Sequence, residues 1–143
     1  MLGLLLSLSL SSLALYWDIK SFKIPNKCII CGLLMGLLKI FLDGEAVISL
    51  SGMIVGFFMM LMLYLVRAVG AGDVKLVAVL GLLLGTESII SIVILSLLFG
   101  AFVGIAECRI FKSCVLKNKG HRFHYSIGIF LSVVVNGIMI IFV

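Results

Sequence analysis

Two aspartates lie at the edges of apolar segments, where an ionisable side chain is costly and usually serves a function. Asp18 follows an apolar stretch that begins at Leu2, and Asp73 precedes one that begins at Val74. Two carboxyls held close together cannot both ionise cheaply, so one can act as an acid while the other acts as a base on a bound water. Such a pair titrates as a unit and could hydrolyse a peptide bond without a metal ion or a covalent intermediate.

The residues before the second aspartate favour this chemistry. Residues 70–75 read GAGDVK, with the aspartate in fourth place. Gly70 and Gly72 have no Cβ, so an extended peptide backbone could approach the acid closely. Lys75, two residues further on, could modulate the carboxyl or contact a bound peptide.

The segment that follows the first aspartate is also distinctive. Residues 18–26 read DIKSFKIPN. Pro25, the only proline in the chain, suits the first turn of the following helix because no amide donor is lost there. Asn26 could cap that turn or bind a substrate amide. A purely structural alternative remains open at this point, in which each aspartate caps a helix end or pairs with Lys20 or Lys75.

The elements that position these residues are predicted to be membrane helices. Of the 143 residues, 64% are hydrophobic and 12% are charged, whereas a soluble domain has roughly 45–50% apolar and about 25% charged residues. A chain of this composition cannot cover itself with polar surface in water. The sequence therefore predicts an all-α integral membrane protein, folded as a single transmembrane domain over residues 1–143.

Six apolar segments separated by short polar breaks are candidate spans. They are Leu2–Trp17, Ile24–Leu42, Ala46–Val66, Val74–Gly85, Ser88–Ala106 and Tyr125–Val143. A spanning helix needs about 20 residues, so the fourth segment is short and could tilt or enter without crossing. Together they predict a six-helix transmembrane bundle.

The basic residues support six spans and set their orientation. If the loops alternate sides, ten of the eleven basic residues fall on one side and only Lys39 falls on the other, where it can pair with Asp43 at i,i+4. Cytoplasmic loops carry the excess of Lys and Arg, so both aspartates are expected at the cytoplasmic boundary and both termini outside. The net charge of +5 is then explained by topology and by contact with anionic lipid, and it does not indicate nucleic-acid binding.

Asp18 followed by Ile24-Pro25-Asn26, together with GAGDVK at 70–75, resembles the signature of the type IV prepilin peptidases, a family of GxGD-type aspartyl proteases. The resemblance covers the number of spans, the order of the motifs and nearly the whole chain. It implies that Asp18 and Asp73 are catalytic and that no cofactor is required. It also implies that the partners are membrane lipid and prepilin-like substrates with an apolar N-terminal helix, from which a short basic leader is cut on the cytoplasmic face of a prokaryotic membrane.

Longer members of that family carry an N-terminal cytoplasmic domain with paired CxxC motifs, associated with N-methylation of the new N-terminus. This chain opens directly on its first predicted span, and so resembles the compact members that process pilins of the Tad/Flp kind or preflagellins. The helix dipole suggests the roles within the pair. Asp73, at a helix N-terminus, is expected to be the ionised base, and Asp18, at a helix C-terminus, the protonated acid.

Two other functions compete with this interpretation. Presenilin-like proteases also use a GxGD motif, but they cut within a span and would place the aspartates deeper. A small transporter or assembly scaffold could use Asp18 and Asp73 as ion-pathway groups, but it would predict an internal repeat or matched broken helices, and the sequence shows neither. It also leaves Ile24-Pro25-Asn26 unexplained.

Metal binding is not predicted. His121 and His124 have a spacing that a ligand pair could use, but no carboxylate or further histidine accompanies them. Cys28 and Cys31 form a CxxC without a second pair at zinc spacing, and we interpret them as small residues of an apolar core.

Overall fold

The computed structural model describes residues 2–21, 24–110 and 125–142. Within these ranges the fold is all helical, as the sequence predicts. The helices are α1 (Leu2–Ser21), α2 (Asn26–Asp43), α3 (Ala46–Leu65), α4 (Ala71–Leu84), α5 (Thr86–Ile110) and α6 (Tyr125–Phe142).

The helix bounds place both aspartates inside helices. Helix α1 continues to Ser21, so that Asp18 lies in its last turn, and α4 begins at Ala71, so that Asp73 lies in its first turn. Pro25 is the residue before α2, with φ −68° and ψ 138°, and this helix end has no capping hydrogen bond from a side chain. Of the two roles open to Asn26, capping is not the one seen, because Asn26 is already the first helical residue.

Three helical segments are long and apolar enough to cross a membrane, as judged over the described residues. They are Ala46–Leu65, Thr86–Val103 and Tyr125–Phe142. Helix α4 has only 14 residues, fewer than the roughly 20 that a spanning helix needs. Large apolar side chains are exposed on the outer surface, among them Phe41, Val47 and Phe142 at 90%, 81% and 86%, as expected of a protein that faces lipid.

The short helix α4 forms the centre of the bundle. It contacts each of the other five helices, and both Val74 and the continuous run 76–83 are buried. A helix that is apolar on all sides is stable where other elements surround it. Neighbouring helices, rather than lipid, therefore cover most of α4.

Close backbone contacts between glycines bring the helices together. At the crossing of α3 and α4, a Cβ at Gly52 would collide with the carbonyl oxygen of Gly81, and a Cβ at Gly81 would collide with that of Gly52. Between α5 and α6, a Cβ at Gly128 would lie 3.0 Å from the backbone nitrogen of Gly100. Small residues allow such approaches in membrane helices, so larger side chains cannot enter these crossings without moving a helix.

Two further expectations can be compared with the structure. Lys39 Nζ lies 3.6 Å from Asp43 Oδ2, which confirms the pair at i,i+4. Cys28 is buried but Cys31 is exposed, and both are free. The interpretation as core residues is therefore correct for Cys28 and wrong for Cys31.

Candidate active site

The end of α1 and the start of α4 meet at one end of the bundle. The two helices are antiparallel, since a Cβ at Gly3 would lie 2.5 Å from the carbonyl oxygen of Leu83 at the opposite end. We call the end where α1 finishes and α2, α4 and α6 begin the aspartate end. There the charge of Asp18 contributes to raising the pKa of the Asp73 carboxyl, and the structure thus brings the two predicted catalytic residues to the same end of the bundle.

A tight turn delivers the chain from α3 to the start of α4. Arg67 has a positive φ of 61°, its N–H donates to Tyr64 O, and the N–H of Ala68 donates to Leu63 O. These two bonds satisfy carbonyls at the end of α3 in the pattern of a Schellman cap, where glycine is the usual residue at the left-handed position. The turn places Gly70 in extended conformation, with φ −82° and ψ 153°, immediately before α4.

Asp73 is held by the backbone of its own motif. The N–H of Gly70 donates to Asp73 Oδ2 at 3.2 Å, so the side chain reaches back to the residue that precedes the helix, as an acidic residue does at this position of a capping motif. A Cβ at Gly70 would lie 3.1 Å from the same oxygen. Glycine at position 70 therefore leaves room for the carboxylate in this orientation.

The protonation of Asp73 is shifted by its surroundings. Asp73 precedes the predicted fourth span, Val74–Gly85, and burial raises the pKa of its carboxyl to about 7. The hydrogen bond from Gly70 lowers the pKa and the charge of Asp18 raises it, but both contribute less than burial. The direction of the shift is opposite to the one expected from the helix N-terminus, because the desolvation of the charged form outweighs the favourable helix end.

Asp18 is held by a residue that the sequence analysis did not identify. Ser126, the second residue of α6, donates its hydroxyl to Asp18 Oδ2 at 2.5 Å. The topology that places both aspartates at one membrane depth also places the start of the sixth span there. A hydroxyl-bearing residue at the start of the sixth span was the signal in the sequence that could have identified Ser126.

The residue before that serine fixes the start of α6 against α5. The Tyr125 hydroxyl lies 2.9 Å from Ser96 Oγ on α5, and Ser96 in turn donates its single proton to Val93 O. Tyr125 is therefore the donor in the pair with Ser96. The first residue of α6 is thus bonded to α5, and the second is bonded to Asp18.

A groove opens beside α4, between α2 and α3. Its volume is about 400 Å³. Apolar side chains dominate its wall, and two polar residues stand at the aspartate end; the lining consists of Asn26, Ile29, Ile30, Leu33, Met53, Phe57, Lys75, Ala78 and Val79. The structure thus brings two of the predicted substrate-binding residues, Asn26 and Lys75, to one groove.

The other three predicted substrate-binding residues lie close by. Gly70 contacts the Asp73 carboxylate, and a Cβ at Gly72 would lie 3.4 Å from Ile24 Cβ, in ordinary van der Waals contact. Pro25 follows Ile24 and immediately precedes α2. The glycine motif and the segment 24–26 are therefore neighbours in space at the aspartate end.

The part of the chain that the structure describes contains no group of three or more His, Cys, Asp or Glu side chains that could hold a metal ion. His121 and His124 lie outside the described residues.

Comparison with known proteins identifies the family of the chain. The model of the type IV leader peptidase family matches residues 4–105, a range that contains both aspartates and ends before α6. No curated protein and no solved structure matches the chain. With both acids at one end of a helical bundle, and with three helices apolar enough to cross a bilayer, the chain belongs to the type IV leader peptidase family of membrane aspartic-type peptidases.

Proposed function

We propose that this protein cuts the short basic leader from prepilin-like proteins at the cytoplasmic membrane face, with Asp18 and Asp73 as its catalytic pair. The observation that carries the proposal is that the end of α1 and the start of α4, two packed helices far apart in the chain, bring these two carboxyls to the same end of the bundle. The family match supports a leader peptidase in general. The choice of substrate rests on the resemblance of the two motifs to the prepilin peptidases.

The environments of the two acids suggest how they divide the chemistry. Asp73, whose pKa is raised to about 7, is the member to which we assign the proton, and Asp18, whose Oδ2 accepts the hydroxyl of Ser126, is the member to which we assign the role of base. Asp18 then takes a proton from water as the water oxygen bonds to the scissile carbonyl carbon, and Asp73 donates its proton to the carbonyl oxygen. As the tetrahedral intermediate collapses, Asp18 passes its proton to the leaving nitrogen and Asp73 regains one from the hydroxyl, so the carbon–nitrogen bond breaks, the amine and the new carboxyl are released, and both acids return to their starting states.

The groove between α2 and α3 offers a place for the apolar segment that follows the cleaved bond. It starts next to the first turn of α4, which carries Asp73, and its wall continues along Ala78 and Val79 on the same helix. Lys75 at its polar end would repel a basic leader. We therefore place the leader on the far side of the aspartates and the apolar helix in the groove.

The bundle would cross the membrane six times. Three helices qualify by length and composition, and the central position of α4 explains how a helix of 14 residues is tolerated, since protein rather than lipid surrounds it. The basic residues Lys20, Lys27, Arg67 and Lys75 belong to the aspartate end in the helix order. The positive-inside rule then favours a cytoplasmic location for that end.

The experiment that tests the proposal is cleavage of co-expressed prepilin-like substrates by wild type, Asp18→Asn and Asp73→Asn. Membrane insertion is checked for every variant. Asp43→Asn is the matched control, because Asp43 is an exposed aspartate paired with Lys39 at the other end of α2. We expect wild type and the control to cut and both active-site variants to insert without cutting. Full cleavage by either active-site variant would show that the pair is wrong, and failure of wild type on several prepilins would refute the substrate class.

A further inference from the structure

The last helix contributes to the site although it lies outside the range that the family model matches. That match ends at residue 105, whereas α6 spans Tyr125–Phe142. The second residue of α6, Ser126, donates its hydroxyl to Asp18, and the first, Tyr125, is hydrogen-bonded to Ser96 on α5. Helix α6, which contains neither of the two aspartate motifs, thus contributes a residue that holds one member of the proposed catalytic pair.

The hydrogen bond of Ser126 differs from those of four other buried serines. The hydroxyls of Ser7, Ser11, Ser96 and Ser132 each donate to a carbonyl three residues earlier in their own helix, as serines inside membrane helices commonly do. Ser126 is the second residue of α6, so the carbonyls three and four residues earlier precede the helix. Its hydroxyl, on a residue only 2% exposed, donates across the bundle to Asp18 instead.

The location of Asp18 makes such a partner necessary. Its neighbours on α1 are largely exposed, with Tyr16 at 61% and Ile19 at 57%, so packing restrains this turn weakly. Without a hydrogen-bond partner, a carboxylate at this position would rotate among several conformers, and catalysis would require one particular conformer. The bond from Ser126 occupies Oδ2 and leaves Oδ1 available for the proton of water.

Helix α6 is itself braced where it delivers the serine. Tyr125 donates to Ser96 on α5, and its ring lies so close to Gly100 that a Cβ there would be 2.6 Å from Cε2. The contact at Gly128, one turn further, brings the backbones of α5 and α6 together. These contacts fix the start of α6 relative to α5, so Ser126 approaches Asp18 from a rigid element.

We propose that Ser126 is a positioning residue for peptide hydrolysis, whose hydroxyl holds the Asp18 carboxylate in the orientation that faces Asp73. The inference rests on the proposed function, because it assigns a role within the same catalytic pair. It predicts that loss of the hydroxyl lowers turnover and leaves substrate binding intact, since the groove lined by α2, α3 and α4 does not include Ser126.

The test compares kcat and KM for wild type, Ser126→Ala, Ser126→Thr and the matched control Ser132→Ala. Ser132 is a fully buried serine on the same helix, and its hydroxyl bonds to its own backbone. Because hydrogen bonds to charged groups are among the stronger ones, we expect Ser126→Ala to lower kcat by about ten- to a hundredfold with little change in KM. Ser126→Thr, which keeps a hydroxyl, should restore most of the activity, and Ser132→Ala should resemble wild type.

Two kinetic outcomes would overturn the inference. They are an unchanged kcat in Ser126→Ala, or an equal loss in Ser132→Ala, which would indicate a general effect of serines in α6. In both cases wild type still cleaves and the proposed function stands. Failure of wild type itself to cleave prepilin-like substrates would instead count against the proposed function.

A second measurement tests the hydrogen bond between Ser126 and Asp18 without measuring enzyme activity. Thermal unfolding is followed for wild type, Ser126→Ala, Asp18→Ala and the double variant in the same detergent. Contacting residues show a coupling in such a cycle, whereas independent sites add. A double variant no less stable than the less stable single variant supports the bond. Additive losses would refute it, whether or not a substrate has been found.

Discussion

The two acids of the site are held in opposite ways. Asp73 accepts a hydrogen bond from Gly70, three residues earlier in its own motif, and sits on α4, which all five other helices contact. Asp18 accepts its bond from Ser126, 108 residues away, and sits on an outer helix among exposed side chains. The hydrogen bond that holds Asp73 therefore lies within its own motif, whereas the one that holds Asp18 depends on how the first and last helices pack.

The electrostatic surroundings of the two acids also differ. Burial away from water is the largest cause of the raised pKa of Asp73. Lys20, two residues after Asp18, lies about 6 Å from the rings of Tyr16 and Trp17, at 5.9 and 5.8 Å from their centroids. Those aromatic side chains are exposed, as expected of residues at a membrane interface.

The largest expected effect is the loss of activity when either acid is removed. The two acids act as one unit although different residues hold them. Asp18→Asn and Asp73→Asn should each lower kcat/KM by about a thousandfold, in the range of general acid–base catalysis. The double variant should be no slower than the slower single variant, because removing either member disables the pair. Rates of peptide cleavage in detergent measure this. Multiplying losses in the double variant would show that the acids act independently.

The rigidity of the helix that carries Asp73 can be tested next. Gly81→Ala would drive a Cβ into the carbonyl oxygen of Gly52, and overpacking of this kind destabilises by about 1–3 kcal/mol. Gly137→Ala is the control, since its Cβ would meet only Leu4 Cδ2, at 3.9 Å. Thermal unfolding should therefore show a lower Tm for the first variant and an equal or higher Tm for the second. Equal effects of the two changes would show that the crossing of α3 and α4 is not tight.

The raised pKa predicts a pH dependence that belongs to one acid. The ordinary pKa of Asp73 is 3.8 and the folded value is about 7, so between these values the folded protein binds more protons than the unfolded chain. The stabilisation from this group is complete below pH 3.8 and is lost as pH rises through about 7.

The measurement is Tm across that pH range for wild type, Asp73→Asn and Asp18→Asn. Asp73→Asn should lose this part of the decline in Tm. Asp18→Asn should keep most of it, since burial is the first cause of the shift and the charge of Asp18 the smallest. Identical slopes in wild type and Asp73→Asn would contradict the assignment to Asp73.

The smallest expected effect concerns the two glycines of the motif. In Gly70→Ala the new Cβ would lie 3.1 Å from Asp73 Oδ2, so the carboxylate must shift and kcat should fall severalfold. In Gly72→Ala the Cβ would make an ordinary contact with Ile24 at 3.4 Å, and the resting fold should be unaffected. If Gly72→Ala instead raises KM, the space above Gly72 is used by the substrate, as the sequence analysis expects.

Much of the fold could be predicted because it depends on local properties. The helices begin and end within a few residues of the predicted spans, since apolar runs and polar breaks set their lengths. The pair of Lys39 and Asp43 follows from helical spacing alone. The placement of Asp18 and Asp73 at one end follows from counting spans, and the family match was anticipated by the two motifs that contain them.

The rest depended on which helices pack together. All six helices are rich in apolar residues, so hydropathy does not distinguish the central α4 from the outer helices, and only the packing shows that α4 is surrounded. The burial that raises the pKa of Asp73 is a consequence of that packing, and it reversed the direction expected from the helix end. The bond from Ser126 to Asp18 joins the two ends of the chain. The sequence by itself determined the helices and the two acids through local patterns, and the tertiary structure decided their partners and their protonation, because burial and long-range contacts exist only once the helices have packed.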